Sequence, residues 1–234
     1  MTMLTVDIYN MAKSSADDKI LSYNDVVLRR SDLTILSGPH FLNDRIIEFY
    51  FSYLTSCHPS EFILLVPPTI SFWVTNCPDL ESIKDFLQPL NLPSKKLVIF
   101  SVNDNDDVEK AEGGSHWSLL AFYRGKNVFV HHDSFGGSNK RYAKRLYEAL
   151  VPYMGISDGA YVECSNTPQQ MNGHDCGLYV LAIARAICCW YEREGPKDEE
   201  DLWFSYVKEQ VSPSVVFAMR NEILGLIRSL GGTE

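Results

Sequence analysis

The chain predicts an α+β fold, in which helices flank one compact sheet of mixed or antiparallel strands. Three observations carry this. Three β-prone runs, at residues 97–102, 117–123 and 128–132, follow one another along the chain, as neighbouring strands of one sheet tend to do. Segments with apolar residues at helical spacing lie before and after them, at residues 43–54 and 175–191. The 234 residues, 45% of them hydrophobic, suffice to bury one full core, with no internal repeat to suggest an array. The expected organisation is a flexible segment over residues 1–19 and a single domain over 20–234.

Taken in order, the first ordered element is a helix over residues 43–54. Ile46, Ile47, Tyr50, Phe51 and Leu54 share one face of it behind an Asn43 or Asp44 cap. Residues 62–66 form a short strand stopped by Pro67 and Pro68, and residues 79–87 a helix capped by Asp79. Residues 97–102, apolar but for Ser101, read as a buried strand. The following loop, 103–114, is rich in Asn, Asp and Gly and is expected to be exposed. Arg124-Gly125-Lys126-Asn127 joins the next two strands as a hairpin. Tyr142, Leu146, Ala149 and Leu150 then define a helix over 138–150, and residues 160–164 a further strand. The helix over 175–191 has neither Pro nor an internal Gly after Gly177. After a charged break at 192–201, Pro213 opens a last helix that runs to residue 230.

Charge and cysteine usage narrow the function classes. A formal net charge of −9 argues against a nucleic-acid-binding surface, and the basic stretch Lys140, Arg141, Lys144 and Arg145 reads as the solvated face of a helix. Acidic residues at 104–107 and 198–201 fit either solvated loops or contacts with a basic partner. The six cysteines show no CxxC pair and no ligand spacing with histidine, so neither a metal nor another cofactor is expected. No secretory leader or membrane span is legible, and a reducing cytoplasmic or nuclear setting is expected, with the protein acting as a monomer.

Against that background Asp175-Cys176-Gly177 stands out. Cysteine is among the most buried residue types, so a lone thiol is usually structural. Cys176, however, opens a helix, where unpaired amides and the helix dipole favour a thiolate, and Asp175 offers an N-cap. Acyl transfer by a thiol also needs a base, an orienter for that base and donors for the oxyanion. His116, at the mouth of a strand after Gly113-Gly114-Ser115, is the preferred base. Asp133, at the end of the neighbouring strand, is placed to orient it, and His131 and His132 remain rival bases beside it. Gln170, six residues before Cys176, offers a side-chain amide that with the Cys176 backbone N–H would make an oxyanion hole.

These strings together, Gly113-Gly114-Ser115-His116-Trp117, His132-Asp133-Ser134 and Pro168-Gln169-Gln170 through Asp175-Cys176-Gly177, resemble the ubiquitin-like-protein-specific protease (Ulp/SENP) family of cysteine proteases. The order His, Asp, Gln, Cys is that family's order. The resemblance implies a papain-like α+β fold and an isopeptidase that cuts after the Gly-Gly terminus of a ubiquitin-like modifier. It implies His116 as base, Asp133 as orienter, Gln170 as oxyanion donor and Cys176 as nucleophile. It also implies that Trp117 closes over the modifier's terminal glycines, beside Gly113 and Gly114. An indole roof leaves a slot that only residues without side chains can thread. Phe41, where the family usually carries Trp, and Asp44 are implied to contact the modifier tail. Residues 86–93 and the Val102-Asn103-Asp104-Asn105 string are most similar to the deneddylase branch, which acts on Nedd/Rub and its conjugates. The Gln170 to Cys176 spacing is more similar to the SUMO-specific proteases, which stand as the alternative. A Cys-His acyltransferase and a modifier-binding module without catalysis are the readings outside the protease class.

Overall fold

The computed structural model describes residues 18–77, 79–110, 113–193 and 202–232. Most of the expected N-terminal segment and most of the charged break at 192–201 lie outside the described residues. Five strands form the central sheet: β3 (Ile63–Val66), β4 (Leu97–Asn103), β5 (Trp117–Tyr123), β6 (Val128–His132) and β7 (Ala160–Glu163), hydrogen-bonded in that order. The β3/β4 and β6/β7 pairs are parallel and the two central pairs antiparallel, so the sheet is mixed. A separate hairpin, β1 (Lys19–Tyr23) and β2 (Val26–Arg29), precedes it.

The apolar run in β4 is split between two cores, as period-two geometry requires. Leu97 and Ile99 face one core with Leu119, Ala121 and Val130, while Val98, Phe100 and Val102 face the other with Leu120, Phe122 and Phe129. On the first face lie α1 (Arg30–Ser37), α2 (Asp44–Cys57), α6 (Cys176–Arg193), α7 (Phe204–Gln210) and α8 (Pro213–Gly231). On the second lie α3 (Pro68–Asn76), α4 (Leu80–Leu87) and α5 (Lys140–Leu150). Helix α6 is buried on nearly every side and packs against β5, so its first residue is brought to the end of the sheet.

The helices over 43–54, 79–87, 138–150 and 212–230 are present with small shifts at their ends. Asn43 caps α2 by accepting from the Ile46 amide, and Asp79 caps α4 by accepting from Glu81 and Ser82. Three helices and the first hairpin are additional to the elements read from the sequence. Pro68 opens α3 rather than only closing β3, since its missing N–H costs nothing at a first helical position. Helix α5 keeps Lys140, Arg141 and Lys144 on its solvent side, with Arg141 3.7 Å from Asp106. No helix among the described residues is long and apolar enough to cross a membrane.

Candidate active site

Cys176 is the first residue of α6, and the carbonyl of Asp175 accepts the amide of Tyr179 as the helix begins. The Asp175 carboxylate accepts from Arg220 Nη2 at 3.0 Å and from Asn172 Nδ2 at 2.7 Å, with His174 Nε2 3.7 Å from the same oxygen as Arg220. Gly177 is required by close approach, because a Cβ there would lie 2.9 Å from Cβ of Leu42. The helix terminus is therefore pressed against the chain segment that leads into α2.

His116 immediately precedes β5 and Asp133 immediately follows β6, so the antiparallel pairing brings them side by side. His116 Nε2 and Asp133 Oδ1 are 2.7 Å apart, both groups being buried. Asp133 also accepts from the amides of Phe135 and Asn139, each at 2.8 Å. Burial works against its charge, but these donors and the His116 imidazole outweigh it and hold the carboxyl below the usual carboxylate range. For His116, burial disfavours the cation, yet the Asp133 hydrogen bond, a hydrogen bond with Cys176 and the charges of both raise its pKa to about 9. The imidazole, beside the Asp133 carboxylate, is thus a cation at neutral pH.

His131 and His132 are both fully buried, each engaged with partners other than Cys176. His132 Nδ1 is 3.0 Å from Thr167 Oγ1, whose own hydrogen goes to the Cys164 carbonyl, so Nδ1 is the donor and Nε2 accepts from Trp203 Nε1 at 2.8 Å. Complete burial drives its pKa down to about 3, which keeps this ring neutral. His131 lies between Glu163, 2.8 Å from Nδ1, and Ser118, 2.9 Å from Nε2.

The Gly113-Gly114-Ser115 turn is built around Asp104. Its carboxylate accepts from the Ser115 amide at 2.6 Å, the Ser115 hydroxyl at 2.7 Å and the His116 amide at 2.9 Å. Although partial burial opposes its charge, the serine and histidine donors hold its carboxyl below the usual range. Gly114 has φ +82°, and a Cβ there would come 2.0 Å from Asn103 Oδ1, so no side chain fits. Asn139, besides holding Asp133, donates through Nδ2 to the His116 carbonyl at 3.1 Å. Asp104 and Asn139 escaped the sequence reading because an acid in a turn-rich loop and a helix-cap asparagine are ordinary there.

Gln170 lies in the loop before Cys176, with its backbone amide donating to the Ser134 carbonyl at 2.8 Å. Its Oε1 accepts from the Ser134 hydroxyl at 2.8 Å, and its Nε2 donates to the Asn172 carbonyl at 2.6 Å. An amide nitrogen carries two hydrogens, so one donor is left for a ligand. Gln169 ties the same loop to Asp133: Nε2 donates to the Asp133 carbonyl at 2.9 Å, and Oε1 accepts from the Gly136 amide at 2.9 Å. The Tyr179 hydroxyl, on α6, donates to the Gln169 carbonyl at 3.0 Å.

A groove of about 820 Å³ approaches His116 from one side. Phe41, Asp44, Gly113, Gly114 and Trp117 all line it, so the five residues assigned to the substrate by resemblance meet in one channel. Phe41 is exposed and Trp117 half-buried, its Nε1 donating to the Leu42 carbonyl at 2.9 Å. Asp32, fully buried, clamps this wall: it accepts from Asn43 Nδ2 at 2.7 Å and Arg45 Nη2 at 3.0 Å. Among the described residues no cluster of three or more His, Cys, Asp or Glu could hold a metal ion.

Residues 81–202 match the model of the Ulp1 protease family, C-terminal catalytic domain. The chain is 57% identical to NEDD8-specific protease 1 of Arabidopsis thaliana, over 94% of this chain and 97% of that protein. It is 34% identical to sentrin-specific protease 8 of Homo sapiens, over 92% of this chain and 98% of that protein. Among solved structures, the C-terminal Ulp1 protease domain in complex with Smt3, the yeast ortholog of SUMO, superposes with a TM-score of 0.64 at 18% identity. That match covers 96% of this chain and 95% of the other.

Proposed function

The chain belongs to the Ulp1 protease family, and from that premise we propose that it is a deneddylase, cleaving after the terminal Gly-Gly of a NEDD8-type modifier. The modifier is chosen on the 57% identity, sustained over almost the full length, with a protein named as NEDD8-specific. The observation that carries the chemistry is the buried His116–Asp133 pair, 2.7 Å apart at the ends of two neighbouring strands, together with Cys176 as the first residue of α6.

In this reading the Cys176 thiolate attacks the carbonyl carbon of the last glycine. The oxyanion that forms is met by the Cys176 backbone N–H and the free donor of Gln170 Nε2. His116 passes its proton to the departing amine as the C–N bond breaks, and Asp133 keeps the ring turned to do so. Water then enters, gives its proton back to His116 and releases the modifier from the thioester. Trp117, Gly114 and Leu42 form the walls along which the glycines thread, while Phe41 and Asp44 meet the residues before them.

Incubation with electrophilic probes built on the C-termini of NEDD8, SUMO and ubiquitin tests the reading. The NEDD8 probe is expected to attach to Cys176 at least about 100-fold faster than the others, a margin of about 2.7 kcal/mol. Cys176→Ala should abolish both attachment and turnover. Preferential labelling by the SUMO probe would transfer the assignment to a SUMO protease, and turnover by Cys176→Ala would end the thiol mechanism.

A further inference from the structure

The groove accounts for one side of the catalytic imidazole only. Its walls come from residues 31–45, 68–73, 103–110 and 113–117, and none of the described residues of 133–137 or 169–176 lines it. On those two loops stand Phe135, 54% exposed, and Met171, 87% exposed. Large apolar side chains held in water beside a reaction centre call for a ligand more than scattered surface apolars do.

The Phe135 backbone is pinned, and Met171 directly follows a residue that is. The Phe135 amide donates to the same Asp133 carboxylate that orients His116, and the Phe135 ring lies with its centroid 5.8 Å from the imidazole. The next two residues, Gly136 and Gly137, take φ +63° and +79°, which turns the chain sharply and leaves the Phe135 ring projecting. Met171 follows Gln170, and Phe135 follows Ser134. Gln170 and Ser134 are joined twice, amide to carbonyl and hydroxyl to Oε1, each at 2.8 Å. The two loops are further stitched by Gln169, so the two apolar side chains flank one hydrogen-bonded pair.

We propose that Phe135 and Met171 form the leaving-group subsite, taking the tetramethylene stem of the isopeptide-linked lysine on the conjugated protein. This rests on the reading of the site as a thiol isopeptidase. If the modifier tail fills the groove, the departing amine must stand where the imidazolium can protonate it, on the side away from the groove, and there the Phe135 ring meets His116. The chemistry of the lysine fits. As an amide it is uncharged, and its four methylenes gain by lying against a ring and a thioether. When the C–N bond breaks, the nitrogen takes the His116 proton and then a second from water to become an ammonium, which is repelled from an apolar contact. The subsite therefore holds the substrate and releases the product. A precursor, whose leaving group is an α-amine of the next peptide residue, lacks the stem and gains less.

Two substrates separate the cases: NEDD8 joined to the ε-amine of lysine in a labelled peptide, and NEDD8 extended by a peptide through its C-terminal glycine. For Phe135→Ala with Met171→Ser, kcat/KM on the lysine-linked substrate is expected to fall about tenfold, and on the extended precursor less than about threefold. Covalent attachment of the NEDD8 probe, which has no leaving group on this side, should stay within about twofold, and the leucine pair Phe135→Leu, Met171→Leu should restore most of the loss. Equal losses on both substrates, or none on either, would overturn the subsite. A wild-type chain that reacts with no modifier probe would instead remove the isopeptidase reading on which it rests. Both positions are exposed, and unchanged thermal denaturation of the variants verifies that folding is intact.

Discussion

His116 and Asp133 illustrate how two ordinary residues acquire a function through what else touches them. Asp133 takes three donors, and its charge is thereby kept against the cost of burial. That fixed charge, with Cys176, lifts His116 to about 9. The proton available to the leaving amine is consequently retained through neutral pH and lost as pH rises through about 9. The alkaline limb of the kcat/KM profile on a modifier substrate should fall there. Asp133→Asn removes the carboxylate that raises the imidazole, so the limb should move to lower pH while the maximum drops roughly 10² to 10⁴-fold. A variant whose alkaline limb stays near 9 would show that another group sets it. Asp104, on the other side of the same histidine, holds backbone rather than ring, accepting from the Ser115 and His116 amides.

Elements carry these residues to one another, and the C-terminal helix has a larger part than its distance in sequence suggests. Arg220 on α8 donates to Asp175 Oδ1 at 3.0 Å, to the Ile35 carbonyl at 2.9 Å and to the His40 carbonyl at 3.0 Å. It thus ties the start of the nucleophile helix to the segment that leads to Phe41 and Leu42. With the pair 13% and 11% exposed, Arg220→Ala takes the guanidinium from a nearly buried carboxylate and leaves it with Asn172 and the more distant His174, at a cost of about 3 kcal/mol. For a chain of this length that is a fall in Tm of roughly 6–12 °C. The NEDD8 probe should also label Cys176 more slowly, and Arg220→Lys, keeping the charge but not the fork, should recover stability better than labelling. An unchanged Tm would show that the contact is not a support. None of this was legible beforehand, because Arg220 sits in an amphipathic helix where an arginine is normally solvated. The strands of the central sheet and the long helices were legible, since apolar period and length separate them cleanly, whereas the short first hairpin was not. Helix α3 was not, because Pro67-Pro68 reads equally as the end of a strand and as the start of a helix. The His116–Asp133 contact was legible because the ends of two neighbouring strands bring these residues together. Gln169 was not, because its value lies in bonds to residues 133 and 136, which only the folded chain brings near.

At the scale of the whole molecule, the candidate site lies at the seam between the two faces of the sheet. Cys176 comes from a helix on the first face, the Asn139 that bonds Asp133 and the His116 carbonyl from the start of a helix on the second, and His116 and Asp133 from the sheet's end. Two histidines near that seam are shifted in opposite directions, and together they set the pH range in which the fold is most stable. His116 has a folded pKa, about 9, above the 6.5 of an unperturbed imidazole. The folded state then binds the proton more tightly than the unfolded chain, so its contribution is complete below about 6.5 and disappears as pH rises through about 9. His132, pinned between Thr167 and Trp203, has a folded pKa of about 3. Below about 6.5 the unfolded chain takes up a proton that the folded one refuses, so stability is lost progressively as pH falls from there towards 3. The two contributions together are therefore greatest near pH 6.5, declining on the acid side through His132 and on the alkaline side, between about 6.5 and 9, through His116, and urea midpoints measured across pH should be highest near 6.5. Replacing Asp133 by Asn should flatten the alkaline decline and leave the acid one, because His132 is held by a different set of contacts. Replacing His132 by Asn, a neutral donor and acceptor, should flatten the acid decline even if the smaller side chain lowers stability at every pH. Profiles that keep both slopes in both variants would place the titrating groups elsewhere in the chain.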